Sequence, residues 1–282
     1  MLTYQTIQEL CQAAEAAGST ISQVILAGQA QQLGLEEREV YDRMAQRLQV
    51  MKESVQTGLD PALRSASGLS GGDAAKLLAY ARTGGICGGF VSEAIARAVA
   101  TSECNAAMGK IVAAPTAGSC GILPGAVLSV LEAGQCSEEQ AVMALFTAGG
   151  IGAVISSRAT LAGAEGGCQA ECGAAAAMAE LRGGSPAQSA HACAIALKNQ
   201  LGLVCDPVAG LVEVPCVKRN VMGAVNALSC ADMALAGLEG GIPCDEVIDA
   251  MGAVGRAMPT SLRETGEGGL AATPTGRKIA GQ

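Results

Sequence analysis

Apolar residues recur three and four positions apart along most of this chain, and the period breaks only at clusters of glycine and proline. Thr6 to about Val55 reads as helices with one polar face. Within it, Glu36–Met51 sets Val40, Met44, Leu48 and Met51 opposite a charged side. A break follows at Thr57–Gly58 and Asp60–Pro61. Ser65–Asp73 (SASGLSGGD) then reads as a loop, with a helix starting near Ser70 or Gly71 and Asp73 in its first turn. Helices are predicted over 74–82 and 90–101, on either side of TGGICGGF. Glu103–Gly125 alternates irregular backbone with short helical turns. Further helices are predicted over 126–133, 138–149, 151–163, 170–182, 187–201, 217–238 and 245–257. Ser137 before Glu138, Glu139 and Gln140 resembles a capping box, as does Ser185–Pro186 before Gln188. Thr260–Gln282 reads as a Gly-rich tail. The expected fold class is all-α, a compact catalytic domain over 61–282 with 1–60 as a helical appendage.

Composition supports this reading. Half of the 282 residues are apolar, yet there are only two Phe, three Tyr and no Trp, against 38 Gly. A core with so few rings gains its burial where backbones approach closely. Helices faced with Ala, Gly and Ser allow that, and Ala has the highest helix propensity.

Charge removes whole classes of function. A net charge of −8 with a pI near 4.8 leaves no clustered basic patch for nucleic acid. The amino terminus lacks a basic segment followed by an apolar one, so no signal peptide is expected and a cytoplasmic location is. Ile111–Leu131 and Ala141–Ser157 carry no charge. The first holds Pro115 and Pro124; the second is short of the roughly 20 residues a span needs. Both are expected to be buried core, with no membrane partner.

Twelve cysteines without a secretion signal do not suggest a disulfide framework. A single His rules out His-rich zinc and His₂-carboxylate iron sites, so any bound metal would be held by thiolates. Cys168 lies among glycines in GAEGGCQAECG, and Cys205 and Cys216 bracket the Pro- and Gly-shaped CDPVAGLVEVPC. Thiolates on such loops can converge, and helix N-termini nearby favour an anionic cluster. Their spacing is not a standard zinc or ferredoxin spacing, so on spacing alone buried hydrophobe and metal ligand both stay open. Cys11, Cys136, Cys193 and Cys230 fall in or beside helical patterns and read as packing residues. Cys172 is an alternate ligand one turn from Cys168, and Cys104, Cys120 and Cys244 lie in or beside predicted loops.

GAEGGCQAECG, NQLGLVCDPVAGLVEVPCVKRN, NAAMGKIVAAPTAGSCGILPG and RETGEGGLAATPTG closely resemble the alpha chain of bacterial iron–sulfur-dependent L-serine dehydratases. SGLSGGDAAKL resembles that family too, and the likeness covers most of 60–280. It implies an all-α catalytic domain and a [4Fe–4S] cluster on three cysteines that match Cys168, Cys205 and Cys216. It also implies conversion of L-serine to pyruvate and ammonia without pyridoxal phosphate. Single-chain members end in a tail cysteine, whereas GLAATPTGRKIAGQ has none; the expected partner is a separate beta subunit in a hetero-oligomer.

Three thiolates on four irons leave one iron open for a Lewis-acid role. Ser67, Ser70, Asn105, Thr116 and Ser119 are the candidates to bind the substrate's carboxylate and ammonium; loop and cap chemistry is the competing explanation for each. Lys110 is the one lysine in a suggestive setting, His191 reads as a packed or exposed helix residue, and the α-proton base stays unassigned. Alternatives are a related threonine or cysteine lyase and a non-catalytic iron–sulfur carrier. A carrier would call for four thiolates, the enzyme for three.

Overall fold

Side chains that satisfy the free N–H groups of a first turn decide where several helices begin. Thr20, Ser137 and Ser185 each close a reciprocal capping box, with Gln23, Gln140 and Gln188 reaching back to the cap. The structure, a computed structural model, describes residues 4–159 and 171–281. Among these residues there are twelve α-helices and no strand: α1 Ile7–Ala16, α2 Ile21–Leu33, α3 Glu37–Gly58, α4 Asp73–Ala81, α5 Gly88–Ala106, α6 Ile122–Glu132, α7 Glu138–Arg158, α8 Glu171–Leu181, α9 Pro186–Lys198, α10 Cys216–Leu235, α11 Cys244–Ala257 and α12 Pro274–Ile279. The all-α expectation holds.

At the centre lies α8, packed against α7, α9 and α10. Ala174 to Ala177 and Ala179 along it are fully buried, so its neighbours approach with almost no side chain between. The one large ring in this core is Phe146 of α7, fully buried. The N-terminal helices pack onto the same core: α1 on α9 and α11, α2 on α7, and α3 on α5 and α7. Glu180 joins three of these elements, accepting from the Ser22 amide and from the Thr147 hydroxyl at 2.9 Å. Where α3 crosses α5, a Cβ on Gly58 would collide with the Ala100 carbonyl, so only glycine permits the approach.

Several boundaries differ from the expected ones. The separate helices expected over 138–149 and 151–163 are one, α7, ending at Arg158. Gly149, Gly150 and Gly152 do not break it; the bare face at Gly150 admits Ile25 of α2, whose side chain a Cβ there would strike. Tertiary contact overrides local propensity at that point. Helix α6 starts at Ile122 rather than Ala126, because Pro124 falls in its first turn, where the missing N–H has no helical acceptor. The tail is ordered into 3-10 turns at Thr260–Leu262 and Gly269–Ala272 and the short α12. Among the described residues α7 alone is long and apolar enough to cross a membrane, and most of it is buried in the fold.

Candidate active site

Four irregular segments meet at the starts of α4 and α10: residues 65–72, 107–121, 204–215 and 260–273. Buried polar side chains tie them together. Glu103 of α5, fully buried, accepts from the backbone amides of Gly71, Asp73 and Ala74 at 3.1, 3.1 and 3.2 Å. It caps the start of α4, a place where negative charge is favoured.

From the other side comes Glu213, 5% exposed. Its two carboxylate oxygens accept from the Ser67 and Ser70 hydroxyls, each at 2.6 Å. Burial pushes this carboxyl up, but the hydroxyls of Ser67, Ser70 and Ser65 outweigh it and hold it below the ordinary glutamate value. The Ser65–Ser70 loop is closed by Ser65 N–H donating to the Ser70 carbonyl and Ser70 N–H to the Ser65 hydroxyl.

Asn220, in the first turns of α10, makes the third tie. Its amide oxygen accepts from Gly121 N–H at 2.8 Å, and its nitrogen donates to the carbonyls of Gly118 and Cys216 at 2.7 and 2.9 Å. The segment carrying Thr116 and Ser119 is thereby fixed to the helix that Cys216 begins. Asp206 makes the fourth tie: it pairs with Arg219 at 2.8 Å and accepts from Leu270 N–H at 2.7 Å. Cys205 itself is joined to the tail through the Leu262 carbonyl and the Glu264 amide.

Cys205 and Cys216 are both buried. Burial and the neighbouring Cys205 push the Cys216 thiol up to about 11. Two adjacent buried thiols suit a cationic partner, since a cation stabilises the thiolates that burial opposes. Cys168 lies outside the described residues; among those described, no three His, Cys, Asp or Glu side chains form a metal site. The donor chemistry of Cys205 and Cys216 therefore fits a thiolate-held metal group.

Ser67 and Ser70 reach this loop through Glu213, and Asn220 ties the Thr116–Ser119 turn to α10, the helix that follows the loop. Ser67 is exposed and Ser70 buried, both on Glu213. Asn105 is half-buried at the end of α5 and donates to the Ala117 carbonyl at 3.2 Å. Thr116 meets the Ser119 hydroxyl at 3.0 Å, while Ser119, 1% exposed, donates to the Ala114 carbonyl and organises its own turn. Other sequence candidates sit elsewhere. His191 accepts from Gly240 N–H in a cavity of about 580 Å³ that α1, α9 and α11 line with Cys11 and Cys244. Cys172 is fully buried in α8.

Sequence reasoning passed over Glu103, Asp206, Glu213, Arg219 and Asn220. Glu213 had a signal. It is the only charge between Asp206 and Lys218, flanked by Leu211, Val212, Val214 and Pro215. A single carboxylate in an apolar loop is one that the fold must bury with partners.

A family profile described as "Serine dehydratase alpha chain" matches residues 16–271. This chain belongs to the serine dehydratase alpha chain family. A protein of Bacillus subtilis (strain 168) called "Probable L-serine dehydratase, alpha chain" is 52% identical over 98% of this chain and 94% of its own length. The "L-serine dehydratase, alpha chain" of Peptoniphilus asaccharolyticus is 44% identical over 97% of this chain and 96% of its own. "L-serine dehydratase 2" of Escherichia coli (strain K12) is 42% identical over 62% of this chain, a match that covers 40% of that longer protein. The family match includes all four segments of the candidate site up to Ala271.

Proposed function

We propose that this chain is the catalytic subunit of an L-serine dehydratase, converting L-serine to pyruvate and ammonia with a [4Fe–4S] cluster. The observation that carries the reading is the placement of two buried cysteines, Cys205 and Cys216, on one loop, which Glu213 joins directly to Ser67 and Ser70. Cys205, Cys216 and Cys168 would hold the cluster. When bound, the cluster supplies a Lewis acid that makes the substrate's β-hydroxyl a better leaving group.

The chain's own part is to bind and orient. Ser67, Ser70, Asn105 and Thr116 line up polar atoms for the amino-acid head, and Ser119 acts through Thr116 by holding its turn. The α-proton must go to a base, and the described loops offer a poor one. Glu103 is occupied by three amides and Glu213 by serine hydroxyls. Hydroxyls and amides are weak bases at neutral pH. A second chain, the beta subunit, completes the site in this reading. Leu69, Met108, Leu211 and Val212, exposed apolar residues on the same loops, give it a surface to cover. Loss of hydroxide and the α-proton leaves aminoacrylate, which tautomerises and hydrolyses to pyruvate and ammonia.

The test is anaerobic reconstitution with iron and sulfide, followed by a pyruvate assay on L-serine. The Cys205→Ser variant should lose iron, broad visible absorption and activity, while Cys230→Ser keeps all three. Full iron content in Cys205→Ser would overturn the ligand assignment.

A further inference from the structure

The hydroxyls of Ser67 and Ser70 have a direction that their identity alone does not give. A serine hydroxyl carries one hydrogen and two lone pairs. Both hydrogens are committed to Glu213, at 2.6 Å to each of its two oxygens. An ionised carboxylate only accepts, so neither serine can turn its hydrogen outward without leaving that bond. What Ser67 and Ser70 can offer a ligand is lone pairs. The Ser67 oxygen is already engaged by Leu69 N–H at 3.1 Å and by the Ser65 hydroxyl at 3.2 Å, whereas among the described residues no bond runs to the Ser70 hydroxyl oxygen, so the open lone pairs are those of Ser70.

An acceptor backed by a buried negative charge selects a cation. Resting on the serine dehydratase reading above, we propose that Glu213 is a positioning residue that turns Ser70 into an acceptor for the substrate's ammonium group, with Ser67 holding the Glu213 carboxylate in place beside it. The carboxylate end then falls to a donor. Asn105 is placed for it, because the Ala66 amide bonds to the Ala106 carbonyl and brings the serine loop against the end of α5. One hydrogen of the Asn105 amide goes to Ala117, and a second remains. Keeping the substrate nitrogen protonated serves the reaction as well, since a positive charge on nitrogen acidifies the α-proton.

The experiment compares two ligands that differ only at nitrogen, L-serine and L-glycerate, in which a hydroxyl replaces the ammonium. The cluster-loaded enzyme is assayed together with its second subunit. In Glu213→Gln an amide N–H faces one serine and forces its hydroxyl to accept, and the negative charge is gone. The KM for L-serine should rise about tenfold or more, with kcat changing less than about threefold. Inhibition by L-glycerate should stay within about twofold of wild type, because a neutral hydroxyl gains nothing from the charge. Ser70→Ala should move the two ligands apart in the same direction, and it serves as the second variant should Glu213→Gln fold poorly. A merely structural role for Glu213 would weaken both ligands equally; that result, or an unchanged KM, overturns the proposal. Wild-type enzyme that forms no pyruvate from L-serine overturns the underlying reaction instead.

Discussion

The core around α8 and the loop face around Glu213 are both buried, and they are held by opposite means. In the core, Ala174–Ala177 and the crossing of α3 at Gly58 let backbones touch, and the helices satisfy their own peptide groups. At the loop face the backbone is irregular, and Glu103, Glu213, Asp206 and Asn220 supply the partners that helices supply elsewhere. A core of small side chains resists insertion, since nothing can move aside. A polar face resists deletion, because each lost partner leaves buried donors or acceptors unpaired. The lesson is that burial alone does not say how a residue will respond to substitution.

The largest effect should come from the core. Phe146→Ala removes the one fully buried ring and leaves a cavity in this core. The expected loss is about 4 kcal/mol of global stability, read from denaturant midpoints, with the iron content of reconstituted folded protein unchanged. A loss below about 1 kcal/mol would mean that the core is more plastic than its packing indicates.

Glu103→Gln sharpens the contrast from the other side. It keeps the shape but replaces a charge that caps the start of α4, and it brings two N–H donors toward amides that are themselves donors. About 2 kcal/mol is expected. The damage should be local, with faster amide exchange over 71–74 and little change around α8. Uniform exchange across the chain would show that the two regions unfold as one.

The smallest effect is in pH. The Glu213 carboxyl sits below its ordinary value of 4.5, because the serine hydroxyls outweigh burial. A depressed carboxyl contributes stability that is fully present above 4.5 and is lost as pH falls through the lowered folded value. Thermal melts of wild type and Glu213→Gln should therefore differ at neutral pH and draw together below pH 4.5. A gap that stays constant down to the acid limit would place the stabilisation in packing and not in the charge.

The same contrast explains what could be read from the sequence. Helices with periodic apolar faces and caps such as Ser137 and Ser185 were legible, because their causes lie within a few residues. The continuity of α7 was not, since Gly150, one of the glycines that suggested a break, makes room for Ile25, more than a hundred residues away in sequence. The serines of the site were legible as polar atoms on Gly-rich loops. Their direction was not, because it comes from Glu213, 143 residues beyond Ser70. The ties of Asn220 to Gly121 and of Asp206 to Leu270 span 99 and 64 residues, and no local pattern announces such a partner.

One of those ties also sets an order of events. The Cys205 backbone is held by Leu262 and Glu264, and Asp206 by Leu270. During synthesis, every helix from α1 to α9 leaves the ribosome before these partners exist. At about 5–20 residues per second, several seconds separate the emergence of Cys205 from that of Leu270. In that interval the nascent chain has its thiols but not the strap that encloses them. The closing strap is thus the last part of the site to be made, and the interval before it arrives is when the cysteine loop is most open to delivery of a cofactor or to attack by an oxidant.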